Sequence, residues 1–210
     1  ILMSKERGKV YIASMNLRGK WYPLPENFER INVTSAQAKN SIFRKTFSPM
    51  TPITDGYKGY YCFENYWQSG KRYEDMDKSE INKLIKWWKD VKKAHRRYPY
   101  SKKNKVIYAK FDEIEEKLDY ISSRKKVYVP EYYELIKNNN VLDKLKENIK
   151  NGINYVVYDF DGPRTKDGEP SIMEINKNNL KEKINDTSYP FGHGYIVAGS
   201  LLGIIPKDYL

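Results

Sequence analysis

A helical pattern that runs directly into an apolar stretch restricts the fold of this sequence more than any other feature. Leu142, Leu145 and Ile149 recur at helical spacing, and Gly152 stands where a helix C-cap is expected. Residues 153–158 then form an unbroken apolar run, which is compatible with a buried strand. A helix followed at once by a buried strand predicts a chain that combines helices with a sheet.

Other segments indicate the same class of fold. Residues 9–14 and 29–33 are short and rich in β-branched and aromatic side chains, which predicts two strands. From Ser79 an apolar stripe at helical spacing predicts a helix that ends before Pro99. The stripe consists of Ile81, Leu84, Ile85, Trp88 and Val91. Further helices are predicted at residues 112–120, from Pro130 with Tyr132, Tyr133, Leu135 and Ile136 facing inward, at 171–185 and at 195–205.

These elements predict an α+β fold, a single helix-rich domain with a few short strands. No repeat, flexible linker or long block of one charge marks a boundary, so the domain is expected to span residues 1–210. Residues 1–45 are a candidate N-terminal extension packed on it. A chain of 210 residues is long enough to bury one sizeable core.

The charge balance and the metal-binding residue types limit the function. Lys and Arg number 38 against 27 Asp and Glu, a net charge of +11 that favours polyanionic partners, either nucleic acid or a phosphorylated nucleotide. With Cys62 as the single cysteine, an intrachain disulfide and a cysteine-rich zinc cluster are excluded. His95 and His193 are too few for a histidine cage. We therefore expect no metal and no cofactor.

Apolar runs in this sequence are too short for a bilayer span, which needs about 18–20 residues. The first nine residues also lack the apolar segment of a secretion signal. We therefore expect no membrane association and a cytoplasmic location, or the interior of a host cell if the chain is viral.

The first candidate site lies in residues 63–71. If this segment is helical, Glu64, Gln68 and Lys71 share one face beside Trp67 and neighbouring tyrosines. Such a face combines an acid–base residue, an amide, a phosphate-binding cation and rings that stack on a nucleobase. The alternative is an amphipathic helix with a solvated Glu–Lys face.

The second candidate is a pair of carboxylates, Asp159 and Asp161, directly after the predicted buried strand. Paired carboxylates activate water and stabilise an oxocarbenium ion in glycoside cleavage. A structural turn over residues 161–163 is the alternative, and Mg²⁺ binding by the Asp-x-Asp pattern also stays open.

The third candidate is the turn Phe191–Gly194 before the last predicted helix. Gly192 and Gly194 would let a phosphate approach backbone N–H groups at the helix N-terminus, with His193 between them. Together with Lys71 they would form one phosphate-binding corner. The alternative is that both glycines permit a tight turn and close packing of the helix.

Taken in order, these motifs resemble the NADAR family of small enzymes that act on N-glycosidic bonds. The glutamate helix of residues 63–71 is the most specific match, although Asn65 replaces a common histidine and Phe191 a common tryptophan. The similar stretches are Phe47-Ser48-Pro49-Met50 through Gly56, Phe63 through Lys71, Leu142 through Asp161, Phe191-Gly192-His193-Gly194, Gly199 and Leu202-Gly203.

The resemblance implies a hydrolase that cleaves an N-glycosidic bond of a nucleotide-type substrate. That substrate would be ADP-ribose attached to a nucleobase in nucleic acid, or a phosphorylated intermediate of riboflavin synthesis. The candidate catalytic residues are Glu64, Asp159 and Asp161. The candidate substrate-binding residues are Asn65, Trp67, Gln68, Lys71, Gly192, His193 and Gly194.

A different class of function is a non-catalytic nucleic-acid-binding protein. The basic region 83–105 would then use Trp87, Trp88 and Tyr98 as an aromatic platform for bases. Against this stands a core helix with a solvated lysine face, which we favour because Trp88 lies on the apolar stripe.

Overall fold

The chain folds as two compact units. The structure is a computed structural model that describes residues 5–16 and 18–210. Unit 1 comprises the described residues up to Ser48 together with Val129–Leu210, and unit 2 comprises Pro49–Tyr128. The fold is α+β and rich in helix, which confirms the predicted class. Residues 1–4 and Leu17, which the predicted domain includes, lie outside the described residues.

The regular elements alternate between the two types along the chain. The strands are β1 (Val10–Ser14), β2 (Phe28–Asn32), β3 (Lys71–Tyr73), β4 (Val106–Ala109), β5 (Asn154–Asp159) and β6 (Ile172–Glu174). The α-helices are α1 (Ile42–Phe47), α2 (Phe63–Ser69), α3 (Lys78–Asp90), α4 (Tyr120–Ser123), α5 (Val129–Ile136), α6 (Asn140–Lys150), α7 (Lys177–Asn185) and α8 (His193–Leu201). A π-helix, Arg124–Tyr128, precedes α5, and a 3₁₀ turn, Pro206–Asp208, ends the chain.

Unit 1 is built on a four-stranded sheet in the order β2-β5-β1-β6. The predicted apolar strand β5 lies between β1 and β2 and is parallel to both, while β6 pairs antiparallel with β1. Five of the six residues of β5 are buried, because other parts of unit 1, α8 among them, cover the side chains on both faces of the strand. The carboxyl ends of β1, β2 and β5 therefore lie at the same end of the sheet, where Asp159 is the last residue of β5.

The N-terminal segment is an integral part of this sheet. Strands β1 and β2 both lie before residue 45 and supply the two direct partners of β5. Ile12, Ala13 and Ile31 are fully buried. Strands β1 and β2 thus belong to the core of unit 1, so an extension packed on an independent domain does not describe them.

Unit 2 contains α2, α3, the hairpin β3-β4, α4 and the π-helix. Helix α3 follows the predicted stripe, with Leu84 and Trp88 fully buried. A capping box between Asp77 and Glu80 starts the helix, and the chain leaves helical geometry at Val91. The prediction of this helix is confirmed.

Three sequence-based expectations about elements are wrong. Residues 112–119 form turns instead of a helix, because Leu118 exchanges two backbone hydrogen bonds with Ala109. The first part of the predicted helix 171–185 is instead strand β6, which pairs with the edge of β1. Leu135 in α5 is 41% exposed, whereas Tyr132 and Ile136 are buried as expected.

Across residues 5–16 and 18–210, none of the helices combines the length and the apolar character that crossing a membrane requires.

Candidate functional site

Helix α2 of unit 2 is almost entirely buried, and one carboxylate interrupts that burial. Six of its seven residues are buried, and Glu64 alone is partly exposed. The helix starts without a side-chain cap. Instead, the Glu64 N–H donates to the Pro49 carbonyl oxygen at 2.9 Å. The loop that precedes α2 thereby fixes the backbone from which the Glu64 carboxylate projects.

Gln68 orients the Glu64 carboxylate. The Gln68 Nε2 donates to Glu64 Oε1 at 2.8 Å, one helical turn away, as the i, i+4 spacing predicts. Gln68 is only 6% exposed, and its Oε1 is buried without a hydrogen-bond partner. A buried amide oxygen without a donor is costly, and such atoms require a specific explanation in a native protein.

Asn65 has a structural role, which corrects its assignment to substrate binding. Its side chain is fully buried and spans a neighbouring turn. Asn65 Nδ2 donates to the Lys93 carbonyl at 2.9 Å, and its Oδ1 accepts the His95 N–H at 2.9 Å. Because both ends of the amide are occupied by backbone, Asn65 fixes the segment that follows α3.

Lys71 does not lie on the α2 face, contrary to our expectation. Helix α2 ends at Ser69, and Lys71 begins strand β3, where it pairs with Ala109. Gly70 lies at the junction, and an added Cβ there would lie 2.3 Å from the Phe111 ring. The close approach of Phe111 therefore favours glycine between the helix and the strand.

Lys71 and Trp67 instead line one pocket of unit 2. The pocket has a volume of about 330 Å³, and its walls include Ile107, Tyr120 and Asp119. Trp67 is 9% exposed and contacts the ring of Phe111 at a centroid distance of 6.0 Å. Concave sites of about 300–1,000 Å³ with mostly apolar walls and a few polar groups are typical of small-molecule binding.

Sequence reasoning did not identify the far wall of this pocket. Ile107 in β4 is 56% exposed and Tyr120 in α4 is 43% exposed. The sequence carries no signal for this wall, because the exposure of Ile107 and Tyr120 depends on how β4 and α4 pack in unit 2.

Cys62, directly before α2, is not a nucleophile. Burial raises the pKa of the Cys62 thiol to about 11, with a smaller upward effect of the Glu64 charge. A thiol in that state is protonated near neutral pH and unreactive.

In unit 1 the structure brings together Asp159, Asp161 and the glycine turn. Asp159 ends β5, is 2% exposed, and accepts the Gly194 N–H at 2.9 Å through Oδ2. His193 Nε2 donates to the Val33 carbonyl at 2.7 Å, while its Nδ1 lies 3.5 Å from Asp159 Oδ2. Asp161, by contrast, is exposed.

The glycine turn therefore holds an internal carboxylate at the position where we expected a ligand phosphate. An added Cβ would lie 2.4 Å from Asp159 Oδ2 at Gly192 and 2.7 Å from Asp159 Cβ at Gly194. Glycine is needed for this approach, and the buried charge of Asp159 complements the positive N-terminus of α8. The contacts support the structural alternative for Gly192, His193 and Gly194, and the predicted phosphate corner with Lys71 lacks the backbone donor expected from Gly194.

Tyr132 completes the buried polar cluster around Asp159, and sequence reasoning gave it no such place. Its hydroxyl donates to the Phe47 carbonyl at 2.7 Å, and its ring contacts His193 edge to face. Burial raises the pKa of Tyr132 well above its usual value, and the negative charge of Asp159 acts in the same direction. The hydroxyl therefore stays a neutral donor.

The predicted aromatic platform for nucleic acid is largely buried. Trp88 is fully buried and Tyr98 is 6% exposed, so neither ring can stack on a base. Lys83, Lys86 and Lys89 are exposed on α3. The core helix with a solvated lysine face is the arrangement observed.

Within the part of the chain that the structure describes, no group of three or more His, Cys, Asp or Glu side chains could hold a metal ion. Comparison of the chain with family models, curated proteins and solved structures finds no match. The resemblance to the NADAR family therefore stays a prediction.

Proposed function

We propose that this protein hydrolyses the N-glycosidic bond of a nucleotide-type substrate, with Glu64 as the acid–base residue. The observation that carries the proposal is the Glu64–Gln68 pair. A carboxylate reaches solvent from an otherwise buried helix, and a buried amide holds it at 2.8 Å. That amide also carries an oxygen without a donor, which suits a site completed by a substrate hydroxyl after a small side-chain adjustment.

The chemistry requires a carboxylate beside the sugar. Water attacks the anomeric carbon while the carbon–nitrogen bond breaks, and the bonding electrons leave with the nitrogen, which takes up a proton. Glu64 accepts one proton of the attacking water and then delivers it to the departing nitrogen, so that one water molecule supplies the new sugar hydroxyl and the proton on the base. Its negative charge also stabilises the positive charge that develops on the sugar in an oxocarbenium-like transition state.

The neighbouring pocket supplies groups for the rest of a nucleotide. Glu64 and Trp67 are three residues apart on α2 and thus on one face of the helix. In the pocket, Lys71 provides a positive charge for phosphate, and the exposed ring of Tyr120 provides stacking surface for a base, with Trp67 in the pocket wall. The net charge of +11 also favours a phosphorylated substrate.

Two substrate types fit this division of roles. One is ADP-ribose attached to a nucleobase in nucleic acid, and the other is a phosphorylated riboflavin-pathway intermediate. The resemblance of residues 63–71 to the NADAR glutamate helix supports both. We place Glu64 at the chemical step, because its carboxylate reaches solvent, whereas the Asp159 carboxylate is buried and accepts the Gly194 N–H.

The test is mass spectrometry of the products after incubation with ADP-ribosylated DNA, free ADP-ribose nucleotides and phosphorylated riboflavin intermediates. Wild-type protein should release a free base or amine from one class. Glu64→Gln should lower turnover about 10²-fold or more, the range expected for loss of acid–base assistance.

Glu113→Gln is the matched control, because Glu113 is an exposed carboxylate of unit 2 that pairs with Lys58 at the surface. It should retain wild-type turnover. Near-wild-type turnover by a folded Glu64→Gln variant would remove Glu64 from the reaction, and the absence of product from every class would reject the N-glycosidase assignment.

A further inference from the structure

The segment after α3 is the most basic stretch of the described chain. Seven Lys and Arg and no Asp or Glu lie between Val91 and Lys105, a range that we call the basic loop. All seven cationic residues are exposed: Lys92, Lys93, Arg96, Arg97, Lys102, Lys103 and Lys105. Such a density of one charge attracts a polyanion.

Three acidic residues that precede this loop in sequence already have hydrogen-bond or ion-pair partners, and one of them, Glu74, contacts the loop itself. Glu74 accepts the backbone N–H of Lys105 at 3.1 Å, and Glu80 accepts the Asp77 N–H in the α3 capping box at 3.0 Å. Asp90 forms an ion pair with Lys86 one turn earlier in α3. The seven cationic side chains of the basic loop outnumber these three carboxylates, so the loop keeps an excess of positive charge.

One aromatic side chain stands out from the basic loop. Tyr100 is 67% exposed, more than any other large hydrophobic or aromatic side chain among the residues that the structure describes. Its ring makes edge-to-face contacts with Tyr98 at 5.5 Å and with Trp87 at 6.5 Å. These contacts hold the ring in place while most of its surface remains open.

The loop is held in its conformation before any partner arrives. Asn65 binds the backbone of Lys93 and His95, as described above. Arg97 links this loop to itself and to β3. Its Nε donates to Ser101 Oγ at 2.8 Å, and its guanidinium lies 4.7 Å from the centre of the Tyr73 ring. A preorganised surface loses less entropy on binding than a flexible one.

We infer that the basic loop binds single-stranded nucleic acid, with Tyr100 stacking on a base and the surrounding lysines contacting phosphates. A cationic groove or patch combined with an aromatic ring is the usual means of binding unpaired strands without sequence preference. A base within a duplex is already stacked on its neighbours and offers no face to Tyr100. A membrane surface is less suited, because the loop carries no exposed Leu, Ile, Phe or Trp to enter a bilayer.

The inference does not rest on the proposed hydrolase, because binding is measured without turnover. The assay is fluorescence anisotropy of the full chain with a labelled oligothymidine of about 15 nucleotides, within the site sizes known for single-strand binders. With about four to five phosphate contacts, the slope of log K against log salt should be about −3. Affinity should then fall roughly 60-fold between about 50 and 200 mM salt.

Two variants separate stacking from charge. Tyr100→Ala should weaken binding about tenfold, whereas Tyr100→Phe should retain it, because the phenyl ring still stacks. Lys102 and Lys103 have φ values of 53° and 62°, a region that Asn tolerates better than most residues. The double variant Lys102→Asn/Lys103→Asn should therefore remove two charges without backbone strain and reduce the salt slope by about 1.4.

The matched charge control is Lys144→Gln/Lys150→Gln, which removes two exposed lysines of α6 and should leave the salt slope as in wild type. If Tyr100→Ala binds oligothymidine as tightly as wild type, with Tyr100→Phe as the folded reference, stacking by Tyr100 is refuted. Tighter binding to a duplex of the same length would overturn the single-strand assignment. Binding to phosphatidylserine vesicles without binding to oligothymidine would reject nucleic acid in favour of a membrane surface.

Discussion

Replacing Asp159 tests whether this buried carboxylate stabilises the fold or takes part in catalysis. Asp159→Ala removes the carboxylate oxygen that accepts the Gly194 N–H at the start of α8. A hydrogen bond to a charged group contributes about 1.5–3 kcal/mol, and leaving its buried partner unpaired costs a similar amount. A carboxylate at a helix N-terminus adds up to about 2 kcal/mol in partly buried geometry.

These contributions overlap, because the same backbone donor takes part in each, and the desolvation of a buried charge opposes them. We therefore expect Asp159→Ala to lower the free energy of unfolding by about 3 kcal/mol. For a chain of this length that corresponds to a decrease in Tm of about 6–12 °C. Asp159→Asn keeps an oxygen that can accept the Gly194 N–H, so its loss should be about half as large.

The assay is urea unfolding followed by circular dichroism, with Asp161→Ala as the control. Asp161 is an exposed carboxylate two residues away, and its removal should cost less than about 1 kcal/mol. The reasoning fails if Asp159→Ala unfolds at the wild-type urea concentration, or if both variants are equally destabilised. Loss of turnover in an Asp159→Ala variant of full stability would assign the residue to catalysis instead.

Two further predictions concern unit 2. At pH 8 native Cys62 should react with iodoacetamide about 100-fold more slowly than in urea, because its pKa of about 11 lies two units above the ordinary value of 9.0; equal rates in mass-spectrometric time courses would contradict this. Since the unfolded thiol loses its proton first, the stability of the protein should also fall as pH rises from 9 towards 11, and Cys62→Ala should abolish that part of the decrease. Gly70→Ala should destabilise the protein by about 1–3 kcal/mol in urea unfolding, because the added methyl group meets the Phe111 ring. Adding Phe111→Leu should recover part of that loss relative to the Phe111→Leu single variant, and no recovery would show that the clash is not the cause.

Composition and apolar spacing within short segments sufficed to predict many of the elements. Strands β1, β2 and β5 and helices α3 and α6 lie close to where the pattern of apolar residues placed them. In each, local spacing decides which side chains share a face, and burial of that face is the dominant energy. The α+β class follows from these elements alone.

No flexible linker in the sequence marks the division into two compact units. Unit 2 is inserted between Ser48 and Val129, and neither point carries a Gly/Ser-rich linker. The chain returns from unit 2 to unit 1 at the point where the π-helix ends and α5 begins. Composition marks a boundary only when the connecting segment is flexible, so this insertion could be found only from contacts.

The failures share one physical cause, a hydrogen bond or packing contact between residues distant in sequence. Leu118 pairs with Ala109, so the helix predicted around it does not form. Strand β6 forms where a helix was predicted, because its backbone pairs with the edge of β1. Backbone groups that find a partner outside their own segment can override local propensity.

The candidate site shows the same division. Sequence spacing by itself placed Glu64 and Gln68 one turn apart on a helix, and the 2.8 Å hydrogen bond between them follows from that spacing. Sequence spacing could not show that Asp159 accepts a hydrogen bond from the Gly194 N–H, 35 residues away. Nor could it show that the Asn65 side chain binds the backbone of Lys93 and His95. Charge and local amphipathicity are properties of a segment, whereas the partner of a buried polar group depends on which segments the fold brings together. The tertiary structure therefore decided which polar side chains are occupied within the protein and which, such as Glu64 and Tyr100, reach its surface.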